Sequence, residues 1–267
     1  MESEQQESLP FFTVVVVITD RNAHMVSLTM DSIAAQSFHP FEVIVIDGQV
    51  QEHSLEIFDA YKTIISRIYH ALDLNLYSMM NKGISLAQGP YMHFLMPGEF
   101  YISRHAFSFV REFIEQQQQP DLVCCGSIIR HSFSPPQIIL QNTTLEELKG
   151  SRLSASLQAY WFRKEALISI GKFNTGFEIQ GGQDMICRFF LNPSMKVTFM
   201  RRILTDYEYR RPSPKKIIQQ FWETLLIICR HFGLSKAVIW WAAQNHLRLF
   251  RWWIKSIKSA FWKSIPK

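Results

Sequence analysis

The chain has 267 residues, of which 47% are hydrophobic and 19% charged, and it carries a formal net charge of +5 with an isoelectric point near 9.0. These values describe an ordinary globular protein with a sizeable core, and the mild positive charge suits a phosphorylated or anionic ligand, or an anionic membrane surface. The four cysteines show no CxxC pairing, and no run of about 18 uncharged apolar residues occurs. The sequence therefore argues against a zinc site, a disulfide framework and a transmembrane helix.

The first ninety residues after a polar tail alternate between two hydrophobic patterns. Continuous β-branched runs are typical of strands buried on both faces, and the stretches between them have apolar residues at helical spacing. In chain order we predict the tail at 1–10, strands at 11–19, 41–48, 66–72 and 90–97, and helices at 24–37, 53–65 and 79–87. This alternation predicts an α/β fold with right-handed crossovers and a doubly wound, mostly parallel sheet flanked by helices.

The rest of the chain is less regular until it becomes strongly helical. In order we predict a helix at 103–120, a strand at 121–130, a loop or hairpin with a short helix at 131–151, a strand, turn and helix at 157–174, a helix at 183–192 and a strand at 196–210. After the segment RRPSPKK the pattern changes to long helices. We therefore predict one domain at 11–215, divided at residue 120, and a helical extension at 216–267 that is rich in basic residues and tryptophan.

Three acidic residues follow predicted strands. Asp47 ends the second strand, Asp73 follows the third and Glu99 follows the fourth. Ligands of open α/β sheets bind beyond the carboxyl ends of the strands, so these side chains mark a candidate site. For Asp47 we favour contact with a nucleotide over a turn-anchoring role. Asp73 is equally well explained as a solvated loop residue, and for Glu99 we favour a metal ligand over an ordinary strand-end acid.

Three sequence blocks carry a family resemblance. They read VVVITDRNAH…SIAAQSFHPFEVIVIDG, ALDLNLYSMMNKGISLAQGPYMHFLMPGEF and LQAYWFRKEALISIGKFN…GGQDMICR, and they occur in this order between about residues 11 and 215. Together they resemble the family 2 glycosyltransferases with a GT-A fold, especially the colanic-acid-type branch. The resemblance implies a nucleotide half at 11–120 and an acceptor half at 121–215. It also implies transfer of a sugar, with inversion, from a nucleotide sugar to a saccharide or lipid-linked acceptor in surface polysaccharide or glycolipid biosynthesis.

The resemblance also implies roles for individual residues. Glu99 would hold a divalent cation, Mn²⁺ or Mg²⁺, because these ions prefer oxygen ligands, and the cation would neutralise charge on the leaving nucleoside diphosphate. Asp184 would deprotonate the acceptor hydroxyl, with Arg188 one helical turn later able to pair with it. The residues implied in nucleotide binding are Thr19, Arg21, Asn22, Asp47, Asp73, Asn81 and Lys82.

The sequence departs from the family pattern at several polar positions. Glu99 stands where relatives carry Asp, Gly182-Gln183-Asp184 keeps only the second of two acids, and Leu157 stands where relatives usually carry His. Asp184 and Arg188 are equally well explained as a structural ion pair. The alternative function is a catalytically impaired GT-A-like module that binds a nucleotide or glycan, or scaffolds a partner enzyme.

The C-terminal segment has a composition of its own. Between residues 237 and 263 tryptophans alternate with basic residues, which is typical of a helix lying in the plane of a membrane surface. The alternative is an amphipathic helix packed on the domain or on a second subunit. No nucleic-acid-binding module is matched. With no signal-peptide pattern and a cysteine usage that suits a reducing compartment, we predict a cytoplasmic protein, held under the membrane interpretation at the inner face of the cytoplasmic membrane.

Overall fold

The computed structural model describes residues 9–19, 23–48, 58–131, 134–140, 143–149, 157–209 and 212–244. Within these ranges nine strands form one mixed sheet. The strands are β1 (Phe12–Ile18), β2 (Phe41–Asp47), β3 (Arg67–His70), β4 (Tyr91–Leu95), β5 (Phe100–Tyr101), β6 (Leu122–His131), β7 (Ser134–Ile139), β8 (Tyr160–Arg163) and β9 (Val197–Tyr209). The helices are α1 (Val26–Ala34), α2 (Leu76–Leu86), α3 (Ala106–Gln116), α4 (Leu145–Lys149), α5 (Lys164–Ser169), α6 (Gly181–Leu191), α7 (Pro214–Phe232) and α8 (Leu234–Ala242).

The N-terminal part of the sheet is the predicted parallel unit. β1 lies between β2 and β4, and β3 pairs with β2, all in parallel. Every residue of β1 is buried, and its side chains alternate between two cores: Val14 and Val16 pack on one side of the sheet, Val15 and Val17 on the other. The continuous β-branched run is therefore explained by burial on both faces, as predicted.

The second part of the sheet is organised around the long strand β6. The start of β6 pairs antiparallel with β8 and its end with β7, while β9 runs parallel along its other side. β8 also pairs antiparallel with β4, and β5 pairs antiparallel with β9. The two predicted halves therefore share one sheet. The pairing of Phe100 with Asp206 brings the turn that precedes β5 next to the end of β9.

A buried histidine lies on the seam between these parts. His93 of β4 stacks on Trp161 with ring centroids 4.2 Å apart. Its Nε2 lies 2.9 Å from the carbonyl oxygen of Gln158, and its Nδ1 lies 2.6 Å from the hydroxyl of Tyr101. Burial lowers the pKa of His93 to about 3. The ring is therefore neutral, and its Nε2 carries the proton because a carbonyl oxygen only accepts.

The predicted element positions are largely confirmed, with shifted boundaries. α2 begins at Leu76 rather than 79 because the side chain of Asn75 caps it by accepting from the N–H groups of Tyr77 and Ser78. Of the helix predicted at 53–65, residues 58–60 are helical and 53–57 lie outside the described residues. The segment predicted as a hairpin with a short helix contains β7 and α4.

The C-terminal extension begins as a helical pair. The hydroxyl of Ser213 caps α7, and Pro214 occupies its first turn, where a missing N–H costs nothing. α7 ends at Gly233, which has a φ of 87°, and α8 packs back on it, with the rings of Phe221 and Trp240 5.3 Å apart. In the part of the chain that the structure describes, no helix is long and apolar enough to cross a membrane. The predicted helical continuation over 245–267 lies outside the described residues.

Candidate active site

A cleft of about 920 Å³ opens at the carboxyl ends of β1 and β2. One wall is formed by Thr19 and Gly48, which follow these strands, and by the start of α2. A second wall is the turn from Met96 to Glu99 after β4. The remaining wall of the cleft is formed by the end of β9, the start of α7 and Glu178. The position agrees with the rule that open α/β sheets bind ligands beyond the carboxyl ends of their strands.

Asp47 is buried at the end of β2 and is anchored by a neighbouring strand. Its Oδ2 lies 2.9 Å from Nδ1 of His70, which stands beside it in the β2–β3 pairing. His70 was not predicted as a site residue, although its place at the end of the adjacent predicted strand could have indicated this contact. Thr19 lines the cleft, and its contact with the donor stays a prediction. Arg21 and Asn22 lie outside the described residues.

Asp73 stands at the entrance of α2 and is exposed. Its Oδ1 accepts from the N–H of Asn75 at 2.9 Å. Hydrogen bonds with Ser78 and with that N–H hold the pKa of Asp73 below its ordinary value. The side chain thus stabilises the turn before the helix, and its predicted contact with the donor stays a prediction.

Asn81 and Lys82 contact other parts of the protein rather than lining the cleft. The amide of Asn81 donates to the carbonyl of Phe173 at 2.8 Å and accepts from its N–H at 2.9 Å. Nζ of Lys82 lies 4.3 Å from the centre of the Tyr69 ring. Both contacts hold α2 in place, and nucleotide binding by these two residues stays a prediction.

Glu99 lies in the cleft on a tightly bonded turn. The N–H of Met96 donates to its Oε2 at 2.8 Å, and its own N–H donates to the Met96 carbonyl at 2.9 Å. Gly98 has a φ of 95°, in the left-handed region that favours glycine, and donates to the hydroxyl of Thr29 at 2.9 Å. The turn therefore presents one carboxylate in a defined position at the cleft.

The Glu99 turn offers one carboxylate that could act as a ligand of a divalent cation. Among the residues that the structure describes, no group of three His, Cys, Asp or Glu side chains could hold a metal ion. Mg²⁺ in nucleotide sites is commonly held by one or two carboxylates, with substrate phosphates and waters as the other ligands. Glu99 can supply one such carboxylate, and its role as a metal ligand stays a prediction.

Asp184 lies in the first turn of α6 and is buried between two arginines and a histidine. Its Oδ2 accepts from Arg188 Nε at 3.0 Å, its Oδ1 lies 2.9 Å from His231 Nε2, and Arg230 is 3.8 Å away. Burial acts to raise its pKa, but the His231 hydrogen bond and the arginine charges bring it below the ordinary value. Asp184 does not line the cleft. Its geometry is that of an anchor between α6 and α7, and its role as a base stays a prediction.

A second buried acid, Glu223 of α7, was not identified from the sequence. Its carboxylate accepts from three consecutive N–H groups, those of Glu178 and Ile179 at 3.0 Å and of Gln180 at 2.7 Å. On the other side of this segment, the hydroxyl of Tyr77 donates to the Ile179 carbonyl at 2.5 Å. The sequence does place this acid one helical turn before Ile227, on the apolar face of the predicted helix, and that spacing could have indicated that Glu223 is buried.

Two glycines at the start of α6 lie against large side chains. A Cβ on Gly181 would stand 2.6 Å from the ring of Tyr77, which is too close for any side chain. A Cβ on Gly182 would stand 3.2 Å from Leu157, so Leu157 would have to move. Tyr77 and Leu157 thus fill the space that side chains at the first turn of α6 would otherwise occupy.

Comparison with known sequences supports a transferase. Residues 13–96 match the family model for glycosyl transferase family 2. A "PGL/p-HBAD biosynthesis glycosyltransferase" of Mycobacterium tuberculosis is 23% identical over 208 residues, covering 74% of this chain and 77% of the relative. The "Uncharacterized glycosyltransferase EpsJ" of Bacillus subtilis is 29% identical over 240 residues, covering 78% of this chain and 67% of the relative.

Solved structures show the same fold. S. aureus TarS 1-349 in complex with UDP superposes with a TM-score of 0.62 at 15% identity, over 82% of this chain and 64% of that chain. The complex of TarS 1-349 with UDP-GlcNAc gives a TM-score of 0.64 at 16% identity, over 84% and 68%. GalNAc-T7 with UDP, GalNAc and Mn²⁺ gives 0.57 at 13% identity, over 76% and 45%. At these identities the likeness establishes the fold, and the predicted GT-A architecture is confirmed.

Proposed function

We propose that this chain, a glycosyltransferase of family 2 with a GT-A fold, transfers a sugar from a nucleotide sugar to a saccharide or lipid-linked acceptor during synthesis of a surface polysaccharide or glycolipid. The observation that carries this function is the cleft at the strand ends. Both Thr19 and Glu99 line the cleft, and the segment that joins them lies almost wholly within the region matching the family model. The names of the sequence relatives, and the UDP and UDP-GlcNAc bound to TarS, support the same class of substrate.

The donor would lie along the edge of the sheet. We place the nucleoside near Thr19 and Asp47, where the ends of β1 and β2 meet, and the diphosphate near the Glu99 turn. Lys216 in the first turn of α7 lines the same cleft and brings a positive charge to the diphosphate. The predicted contacts of Arg21, Asn22, Asp73, Asn81 and Lys82 belong to the same proposal.

The chemistry follows from the donor's charge. A bound Mn²⁺ or Mg²⁺ would neutralise negative charge on the leaving nucleoside diphosphate. Glu99 would hold this cation, and we propose that the transfer proceeds with inversion, by in-line attack of the acceptor hydroxyl on the anomeric carbon. In-line attack requires a proton acceptor beside the hydroxyl, away from the leaving diphosphate.

We also propose that the C-terminal extension binds an anionic lipid surface. α7 exposes Trp222 and Leu226 one turn apart, and α8 exposes Leu234 and Val238 in the same way. The sequence that follows, 245–267, contains basic residues and tryptophan but no acidic residue. Apolar side chains beside positive charge suit the boundary of an anionic bilayer, where a lipid-linked acceptor would be found.

The first experiment is a thermal-shift screen of the purified chain with UDP, GDP and their sugars, with and without Mn²⁺. A ligand that binds the folded state raises the melting temperature, so the screen reports the nucleotide and the metal dependence together. We expect one nucleotide to stabilise the wild type more in the presence of Mn²⁺ and to stabilise Glu99→Gln equally with or without it.

The alternative, a catalytically impaired module, predicts binding without chemistry. Release of UDP or GDP from the stabilising nucleotide sugar, measured with Mn²⁺ present and water or added saccharides as acceptors, separates the two functions. Nucleotide binding with no turnover of any donor would favour the module and contradict the transferase.

A further inference from the structure

We infer that Glu178 is the catalytic base that accepts the proton of the acceptor hydroxyl, a role that depends on the transferase function proposed above. In the described part of the cleft wall the acidic residues are Glu99, Glu178 and Glu208. Glu99 accepts from the N–H of Met96, and Glu208 is also engaged by another group of the protein. For the Glu178 carboxylate, by contrast, the described residues provide no hydrogen bond or ion pair. A base must be able to receive a proton, and among the acids in the described cleft wall Glu178 is the one whose carboxylate no described residue engages.

The backbone that carries Glu178 is fixed from two sides. Glu223 accepts from its N–H and from the next two N–H groups, and these hydrogen bonds to a charged acceptor are stronger than neutral ones. Across the segment, Tyr77 donates to the Ile179 carbonyl, and Asn75 Nδ2 donates to the Phe177 carbonyl at 3.3 Å. The main chain is thus held while the Glu178 side chain remains exposed at the cleft. Such fixed placement is what a catalytic group requires, since small displacements cost rate.

The position of Glu178 also differs from that of the other cleft acids. Glu208 lies on β9 two residues after Asp206, which pairs with Phe100, so it stands beside the Glu99 turn where the diphosphate is placed. Glu178 belongs instead to the junction of α2, α6 and α7. A base there would approach the acceptor hydroxyl from a wall other than the one that holds the leaving group.

The transfer step balances with Glu178 in this role. The acceptor O–H gives its proton to a carboxylate oxygen of Glu178, and the freed oxygen electron pair forms the new bond to the anomeric carbon. The bond from the anomeric carbon to the phosphate oxygen breaks, and its electron pair leaves with the nucleoside diphosphate. Glu178 then releases the proton to water.

Asp184 is the alternative candidate for the base, but its contacts are those of a residue that stabilises the fold. Its Oδ2 accepts from Arg188 of α6, its Oδ1 lies within hydrogen-bond distance of His231 of α7, and the residue is 1% exposed. Proton transfer to it would break an internal ion cluster in every catalytic cycle. The two assignments therefore predict opposite patterns of stability and activity.

The test compares Glu178→Gln, Glu208→Gln and Asp184→Asn with the wild type, using release of UDP from UDP-GlcNAc, or from the nucleotide sugar that the wild type turns over fastest. Glu112→Gln, on the exposed face of α3, is the matched control. We expect Glu178→Gln to lower kcat by about 100-fold or more, the usual contribution of a general base, with the donor KM and the melting temperature close to wild type. Glu223→Gln should lower kcat by about tenfold without raising the donor KM, because it loosens the segment that carries the base.

The outcomes separate the base assignment from the transferase function. Turnover by the wild type that survives Glu178→Gln within about tenfold overturns the assignment alone. The base assignment is also overturned if Asp184→Asn or Glu208→Gln is folded and loses kcat while Glu178→Gln does not. If the wild type turns over no donor, the transferase function fails, and the role of Glu178 fails with it.

Discussion

The interior around α6 and α7 and the cleft beside it hold their carboxylates in opposite ways. In the interior, Asp184 and Glu223 are buried, and each is surrounded by several donors. At the cleft, Glu178 is exposed on a segment whose N–H groups donate to the buried Glu223. Residue type alone therefore says little about the role of an acid. Burial and partners decide whether a carboxylate stabilises the fold or is available for chemistry, and the difference between the two groups can be tested by substitution.

The largest expected effect on stability is at Asp184. Replacing it with Asn should lower the free energy of unfolding by about 3–5 kcal/mol, because Arg188 loses its buried counter-charge and the hydrogen bond with His231 loses its charged partner. Urea unfolding followed by circular dichroism measures this loss, with Glu112→Gln expected to stay within about 0.5 kcal/mol of wild type. If Asp184→Asn loses less than about 1 kcal/mol of stability and its turnover is abolished, Asp184 rather than Glu178 would be the base.

The buried His93 should make the free energy of unfolding depend on pH. Its pKa in the folded protein, about 3, lies below the ordinary value near 6.5, so its contribution to stability is present above pH 6.5 and is lost as pH falls toward 3. Between pH 7 and pH 5 this one group should lower the free energy of unfolding by about 2 kcal/mol. Urea unfolding at several pH values should show that His93→Phe removes this part of the slope.

The control for this slope is His105→Gln, which replaces an exposed ring that contacts Ser37. It should keep the pH dependence of the wild type. An unchanged slope in His93→Phe would mean that the imidazole is not held neutral in the fold.

Asn81 tests whether a residue of the specific MNKG motif serves the fold or the donor. Asn81→Ala should cost about 1–3 kcal/mol, since the N–H and carbonyl of Phe173 lose their partner. If the role is structural, UDP-linked stabilisation in a thermal-shift assay should match that of the wild type. A lost ligand shift at unchanged stability would instead support the nucleotide contact predicted from the sequence.

The smallest effect on stability is expected on the outer face of the extension. Trp222→Ser and Leu226→Ser, combined, should change the unfolding free energy by about 0.5 kcal/mol or less per site, because both side chains are more than half exposed. They should nevertheless reduce binding to vesicles of phosphatidylcholine with phosphatidylglycerol in a sedimentation assay.

The control for lipid binding is Ile138→Ser on β7, which removes an equally exposed apolar side chain far along the sequence from the extension. It should sediment with vesicles like the wild type. Absence of vesicle binding by the wild type, with a dimer seen in solution, would favour packing of the helices on a second subunit.

Much of the fold was predictable because its signals are local. β1 is predicted at 11–19 and found at Phe12–Ile18, and β2 is predicted at 41–48 and found at Phe41–Asp47. Both are continuous apolar runs buried on both faces, and this pattern is visible in the local sequence alone. The start of α2 was missed by one turn because capping by Asn75 depends on a side-chain orientation that hydrophobic spacing does not reveal.

The site was less predictable because its contacts join distant parts of the chain. Glu99 was identified from a strand end and Thr19 from the family resemblance, and both line the cleft. The contacts of Glu223 with Glu178, and of His231 with Asp184, join residues 45 and 47 positions apart. No local pattern marks such pairs. The family motif could point to Asp184 but could not show which side chains surround it.

Leu157 lies against the position where Gly182 has no side chain, and this contact bears on how the site evolved and on how it could be redesigned. Related sequences are expected to carry His and an acid near these two positions, whereas this chain has a leucine against a residue without a side chain. Reintroducing the acid by Gly182→Asp alone would force Leu157 aside, so the single change is expected to be unfavourable. With a smaller residue at 157 the acid would have room. The effect of a substitution at either position therefore depends on the residue at the other, and the two are best tested together.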